Sequence, residues 1–131
     1  MSAYGAGLFH DDVAVDVRDE YLALLASGAT DAAAFRTMLL EWKDSIADYD
    51  DGPVFWLALA ATQWEYGRLH SRAKTEALKV IDEGKDIDRW AESGLIKRRQ
   101  AVLAKLKKKL LAPLPKRRMP RLRADLELPS N

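Results

Sequence analysis

Cysteine is absent from the 131 residues, which removes disulfide bonds, thiolate metal sites and thiol nucleophiles together and leaves stability to packing. Long hydrophobic runs are also missing. The longest apolar stretch, Val54 to Ala61, would extend only about 12 Å as a helix against a hydrocarbon layer of about 30 Å. The opening Met1-Ser2-Ala3-Tyr4-Gly5 has neither the basic segment nor the apolar core of a secretory signal, so a cytoplasmic location is expected. Histidine is scarce: His10 and His70 are the only two, and each stands beside an expected helix start, where a surface or capping role outweighs a general base. Gly-x-Ser-x-Gly, His-Glu-x-x-His and Gly-x-x-x-x-Gly-Lys-Ser/Thr patterns do not occur. The reading therefore leans against an enzyme and names no catalytic residue, no cofactor and no metal.

What is present is a helical chain. With 48% hydrophobic and 31% charged residues, the composition is that of a globular domain, and no segment alternates as a half-buried strand would. A first helix is expected from Asp11-Asp12, whose carboxylates suit free N–H groups, to Gly28. Thr30 caps a second, with Phe35, Met38, Leu39, Trp42 and Ile46 on one stripe as far as about Ala47. The run from Asp48 to Pro53 breaks that pattern and starts a third. This central helix, residues 53–66, is apolar nearly all round through Val54, Phe55, Trp56, Leu57 and Leu59. Ser71 is the expected cap of a fourth helix ending at Gly84, a short helix holds Ile87 and Trp90, and the last runs from Leu95 to about Leu111. The fold class is all-α: one compact domain of five to six helices around the buried central helix, residues 1–112, followed by a basic, proline-containing arm, residues 113–131, extended or disordered.

Several clusters suggest chemistry and then fail its requirements. Gly5-Ala6-Gly7 resembles the opening of a phosphate loop, but His10 stands where the dinucleotide fingerprint needs glycine. The glycines instead allow Tyr4, Leu8 and Phe9 to fold down as a lid. Asp48, Asp50 and Asp51 invite calcium, yet an EF-hand loop counted from Asp48 would place Leu59 where the bidentate glutamate belongs. Capping of the central helix by Asp50 and Asp51 is the expectation.

Charge is distributed unevenly. Residues 1–94 carry nine Lys/Arg against 18 Asp/Glu, and residues 95–131 carry 12 against two, so a net −9 and a net +10 leave +1 overall. A basic helix and arm on an acidic body imply a partner, inside the molecule or outside it. Lys105, Lys108, Lys109, Lys116, Arg117, Arg118, Arg121 and Arg123 are the candidates for contact with an anion or nucleic acid. The stretch lacks interleaved aromatic residues for base stacking, and without Trp or Phe the last helix is a poor membrane anchor. The competing reading is internal neutralisation, with the last helix laying its leucines on the core and its lysines against acids of the first two helices. Trp64, Tyr66, Arg68 and His70 form the second candidate surface, for a partner.

The segments Tyr4-Gly5-Ala6-Gly7-Leu8-Phe9-His10-Asp11-Asp12, Val17-Arg18-Asp19-Glu20-Tyr21 and Gly52-Pro53-Val54-Phe55-Trp56-Leu57-Ala58-Leu59-Ala60-Ala61-Thr62-Gln63-Trp64, with Gly67-Arg68-Leu69, resemble a bacterial family of unknown function. Its members typically open Trp-Gly-x-Gly-Leu/Ile-Phe, where this chain has Tyr4. The resemblance extends to Ala77-Leu78-Lys79-Val80-Ile81-Asp82 and Pro113-Leu114-Pro115 and implies a family label rather than an activity. The expected function is that of a small non-enzymatic binding or adaptor protein whose partner is another protein. The alternatives are a nucleic-acid accessory factor acting through residues 97–123 and an enzyme built on residues such as Asp11, Asp16, Arg68 and His70.

Overall fold

The computed structural model describes residues 7–90 and 94–120, without the side chains of Asp88 and Arg89. Six α-helices and two short 3-10 turns, Leu8–His10 and Ile87–Trp90, make up the regular structure, and no strand occurs among the described residues. The helices are α1 Asp12–Ala26, α2 Asp31–Glu41, α3 Lys43–Ala47, α4 Asp51–Glu65, α5 Ser71–Glu83 and α6 Ile96–Leu111. None is long and apolar enough to cross a membrane. The lid expectation for Tyr4 and the candidates Arg121 and Arg123 lie outside the described residues, whereas Leu8 is buried in the core.

The central helix is α4. Its buried positions include every residue from Gly52 to Ala60, then Thr62 and Gln63, because α1, α3, α5 and α6 all pack against it while α2 lies on α1. Thr62 avoids an unpaired hydroxyl by donating to the Ala58 carbonyl at 2.8 Å. Gly52 is required by the close approach of α3: a Cβ there would stand 2.5 Å from the Ile46 carbonyl oxygen.

The helix ends follow local chemistry. Asp11 accepts from Val13 and Ala14 N–H, and Thr30 accepts from Ala33 N–H. Two expected caps are corrected. Ser71 does not cap α5; the preceding His70 does, its Nδ1 accepting from Arg72 N–H at 3.0 Å. Asp50 and Asp51 make no side-chain cap on α4, because the Asp48 carboxylate accepts from both of their N–H groups in a tight turn. The expected second helix is also split. Trp42, at φ −106° and ψ 15°, leaves the helical basin between α2 and α3. Its N–H still bonds Met38 and its carbonyl still accepts from Ile46. The kink sets the Trp42 indole, donating to Glu20 Oε2, near the ring of Phe55.

An unexpected element of the interior is ionic. Arg99 on α6 and Asp86 before the second 3-10 turn are both fully buried and joined through Nε and Nη2. The guanidinium carbon lies 5.0 Å from the Trp90 ring. Arg99 shares the inner stripe of α6 with Leu103, Leu106 and Leu110. A buried charge is tolerated only when paired, so this contact fixes the loop before α6 against the helix itself.

Candidate functional site

The proline-rich arm and the Trp64–His70 surface, separate in sequence, meet in space. Beyond Ala112, itself in extended backbone, the chain has no regular secondary structure through residues 113–120, where Pro113 and Pro115 oppose a helix, and it crosses the turn that ends α4. Gly67 occupies that turn at φ +70°, and a Cβ on it would stand 2.7 Å from both the Arg117 Cα and the Pro115 carbonyl oxygen. Glycine thus serves twice there, for the left-handed turn and for the close approach of two backbones.

Hydrogen bonds hold the crossing. Arg118 N–H donates to the Tyr66 carbonyl at 3.2 Å, and the Arg118 carbonyl accepts from Nε and Nη2 of Arg68. The Arg118 guanidinium lies 4.1 Å from the centre of the Tyr66 ring and reaches Glu65 at 3.1 Å. Asp31, the first residue of α2, takes Arg68 on one oxygen and Arg117 on the other. Partial burial pushes the Asp31 carboxyl upward, but the hydrogen bonds and charges of Arg117 and Arg68 outweigh it and hold the group below the usual carboxylate range.

Beneath the arm lies a polar layer. The Gln63 side-chain oxygen Oε1 accepts from His70 N–H at 3.0 Å, and the same side chain also bonds Tyr21. Burial, followed by the Asp31 charge, pushes the Tyr21 hydroxyl up to about 12, so it stays neutral at any ordinary pH. His70 stacks on Phe35 with ring centres 4.1 Å apart. Its Nδ1 is engaged as the α5 cap, which directs its proton to Nε2. A surface cavity of about 400 Å³ bordered by Asp31, Gln63, Arg68, His70, Leu114 and Arg117 remains beside the arm.

Positive charge is therefore sorted into two groups. Arg117 and Arg118 are consumed by Asp31 and Glu65, Lys107 pairs with Asp82 on α5 at 2.7 Å, and Lys109 lies 5.5 Å over the Trp64 ring. Internal neutralisation thus occurs, but α6 reaches an acid of α5, and it is the arm that reaches α2. The second group is the outward face of α6. Lys97, Arg98, Lys105 and Lys108 are exposed and form no ion pair among the described residues; Lys116 on the arm is likewise exposed. From Lys97 to Lys108 the stripe is about 16 Å long at 1.5 Å per residue. Residues 95–120 contain no Asp or Glu at all.

Where this stripe meets α4 the surface is indented. A cavity of about 170 Å³ has Leu8, Ala61, Val102 and Leu106 as apolar lining, with the stems of Lys105 and Lys109 completing its wall. Neither this hollow nor Arg99 announced itself in the sequence. The signal for Arg99 was its register with Leu103, Leu106 and Leu110; the hollow depends on the small side chains of Ala61 and Ala101 opposing each other across two helices.

Of the residues weighed for catalysis, Arg68 and His70 border the same cavity and Asp16 is exposed on α1, but all except Asp16 are engaged in structure. Asp11 is a helix cap, Arg68 binds Asp31 and the arm, and His70 is a cap stacked on phenylalanine. No cluster of three or more His, Asp or Glu suited to a metal occurs among the described residues. The chain matches no family model, no curated protein and no solved structure.

Proposed function

We propose that the protein is a non-enzymatic binding module that docks an acidic segment of another protein on the outward face of α6. The observation carrying this reading is the contrast within one basic region. Arg117, Arg118 and Lys107 each have an acid partner, whereas Lys97, Arg98, Lys105 and Lys108 stand exposed on α6 without one among the described residues. Complementary charge of this kind steers encounter and suppresses wrong partners. The stripe offers no aromatic ring on which an unpaired base could stack, which leaves a duplex as the nucleic acid to be tested against a carboxylate ligand.

Fluorescence anisotropy with the labelled peptide Glu-Glu-Glu-Leu-Glu-Glu-Glu and with a short DNA duplex, at matched salt, tests the reading. The expected result is binding of the peptide that weakens with salt and is lost in Lys97→Glu/Lys108→Glu, with the unfolding midpoint unchanged. Tighter binding of the duplex than of the peptide, or peptide binding indifferent to the double reversal, refutes it.

A further inference from the structure

We infer that the hollow between α4 and α6 is the anchor site of that interface, receiving one apolar side chain of the acidic segment. The inference rests on the proposed function and adds the chemistry of recognition to it. Charge alone gives little specificity, since exposed ion pairs are individually weak and salt-screened. Interfaces gain affinity by seating an apolar group in a desolvated pocket within a polar rim. Among the described residues that combination occurs between α4 and α6: Leu8, Ala61, Val102 and Leu106 line a volume of about 170 Å³, and two lysines of the same helix, Lys105 and Lys109, wall it.

Size and charge select the occupant. An apolar cavity of about 150 Å³ accommodates benzene, so this one suits a leucyl or phenyl side chain and nothing much larger. Lys109 is tethered over Trp64, and Lys105 is exposed with no acid partner among the described residues. A peptide whose apolar residue enters the hollow therefore brings its flanking carboxylates beside fixed positive charge. An uncharged apolar segment would leave those charges without a counter-ion, and an acidic segment without an apolar residue would leave the hollow unfilled. A second hollow along α6, lined by Ile81, Gly84, Ile87 and Ala104, contains Asp82, Glu83 and Lys107, and because Lys107 is already paired with Asp82 it presents no surplus positive charge to the same ligand.

The experiment compares the peptide above with its serine counterpart, Glu-Glu-Glu-Ser-Glu-Glu-Glu, on the wild type, Ala101→Leu and Ala104→Leu. Ala101 and Ala104 are both exposed on α6, but only Ala101 lines the hollow, and both alanine and leucine favour helix. The leucine peptide should bind the wild type at least about tenfold more tightly than the serine peptide. Ala101→Leu should abolish that difference, Ala104→Leu should preserve it, and methyl resonances of Val102 and Leu106 should shift on binding. Equal binding of the two peptides overturns the inference, as do an Ala101→Leu variant that still discriminates and cross-relaxation from the Leu106 methyls to the Tyr4 ring, which would make the chain's own first residues the occupant. If Lys97→Glu/Lys108→Glu abolishes binding while Ala101→Leu changes nothing, the acidic-partner reading stands and the anchor falls; if neither has an effect, both fall.

Discussion

Gly67→Ala should release the arm, and two other glycines of the same fold supply its controls. Gly67 and Gly84 each follow a helix at φ +70°, with matching bonds: Gly67 N–H to Trp64 and Arg68 N–H to Gln63, Gly84 N–H to Ile81 and Lys85 N–H to Val80. A Cβ on Gly84, or on Gly28 at φ +101°, meets nothing within 4 Å. Alanine at Gly28 or Gly84 therefore carries only the left-handed backbone penalty, about 1–2 kcal/mol. At Gly67 the same penalty is joined by contacts of 2.7 Å with arm backbone, which no rotamer can relieve. The arm must lift, losing the Arg118 N–H bond, worth about 1 kcal/mol, and exposed ion pairs worth about 0.2–1 kcal/mol each. The freed arm regains some chain entropy, so the expected total is about 2–4 kcal/mol against 1–2 kcal/mol for the controls. Urea unfolding measures the difference, and trypsin, cutting after Lys116, Arg117 or Arg118, reports the arm directly. Gly67→Ala should be nicked there many times faster than Gly84→Ala while the helical body stays intact. Equal loss of stability and equal cleavage in the two variants would refute the docking.

Asp86→Ala leaves Arg99 buried without its counter-ion and should cost about 3–5 kcal/mol in urea unfolding, whereas Asp86→Leu with Arg99→Met should recover most of that loss. Tyr21 gives an alkaline signature: its folded pKa, about 12, lies above the ordinary 10, so the folded state holds the proton longer and stability falls as pH rises from 10 to 12. The full drop is about 3 kcal/mol, and Tyr21→Phe should flatten this part of the pH profile. Asp31 acts in the opposite sense: with its folded pKa held below the ordinary 3.8, its contribution is present above that value and lost as pH falls through the folded pKa. Asp31→Asn should mimic the acid state at pH 7, exposing the sites after Arg117 and Arg118 to trypsin; an unchanged cleavage rate would show that the arm does not depend on this carboxylate.

The sequence made the helical body legible because its signals are local. Val17, Tyr21 and Leu25 recur at helical spacing, as do Phe35 and Met38, and the nearly unbroken apolar run from Val54 marks α4 as the element to be surrounded, as it is. What stayed hidden depends on contacts across the chain. Arg99 reads as one more surface cation until Asp86 is found on the other side of the turn before α6. Arg117 and Asp31 are 86 residues apart and Arg118 and Glu65 are 53 apart, so no window of sequence shows that the arm's arginines are already neutralised. Composition weighs every lysine and arginine in residues 95–131 alike, whereas the fold divides them by what each can reach. Arg117 and Arg118, carried over the end of α4 by a glycine turn, find acids at close range; Lys97, Arg98, Lys105 and Lys108 are held on the exposed face of α6 and pair with no acid among the described residues. A flexible basic segment of the same composition could fold back on the acidic body and neutralise itself, but α6 is anchored by its leucines and by Arg99, and Lys97, Arg98, Lys105 and Lys108 stay exposed.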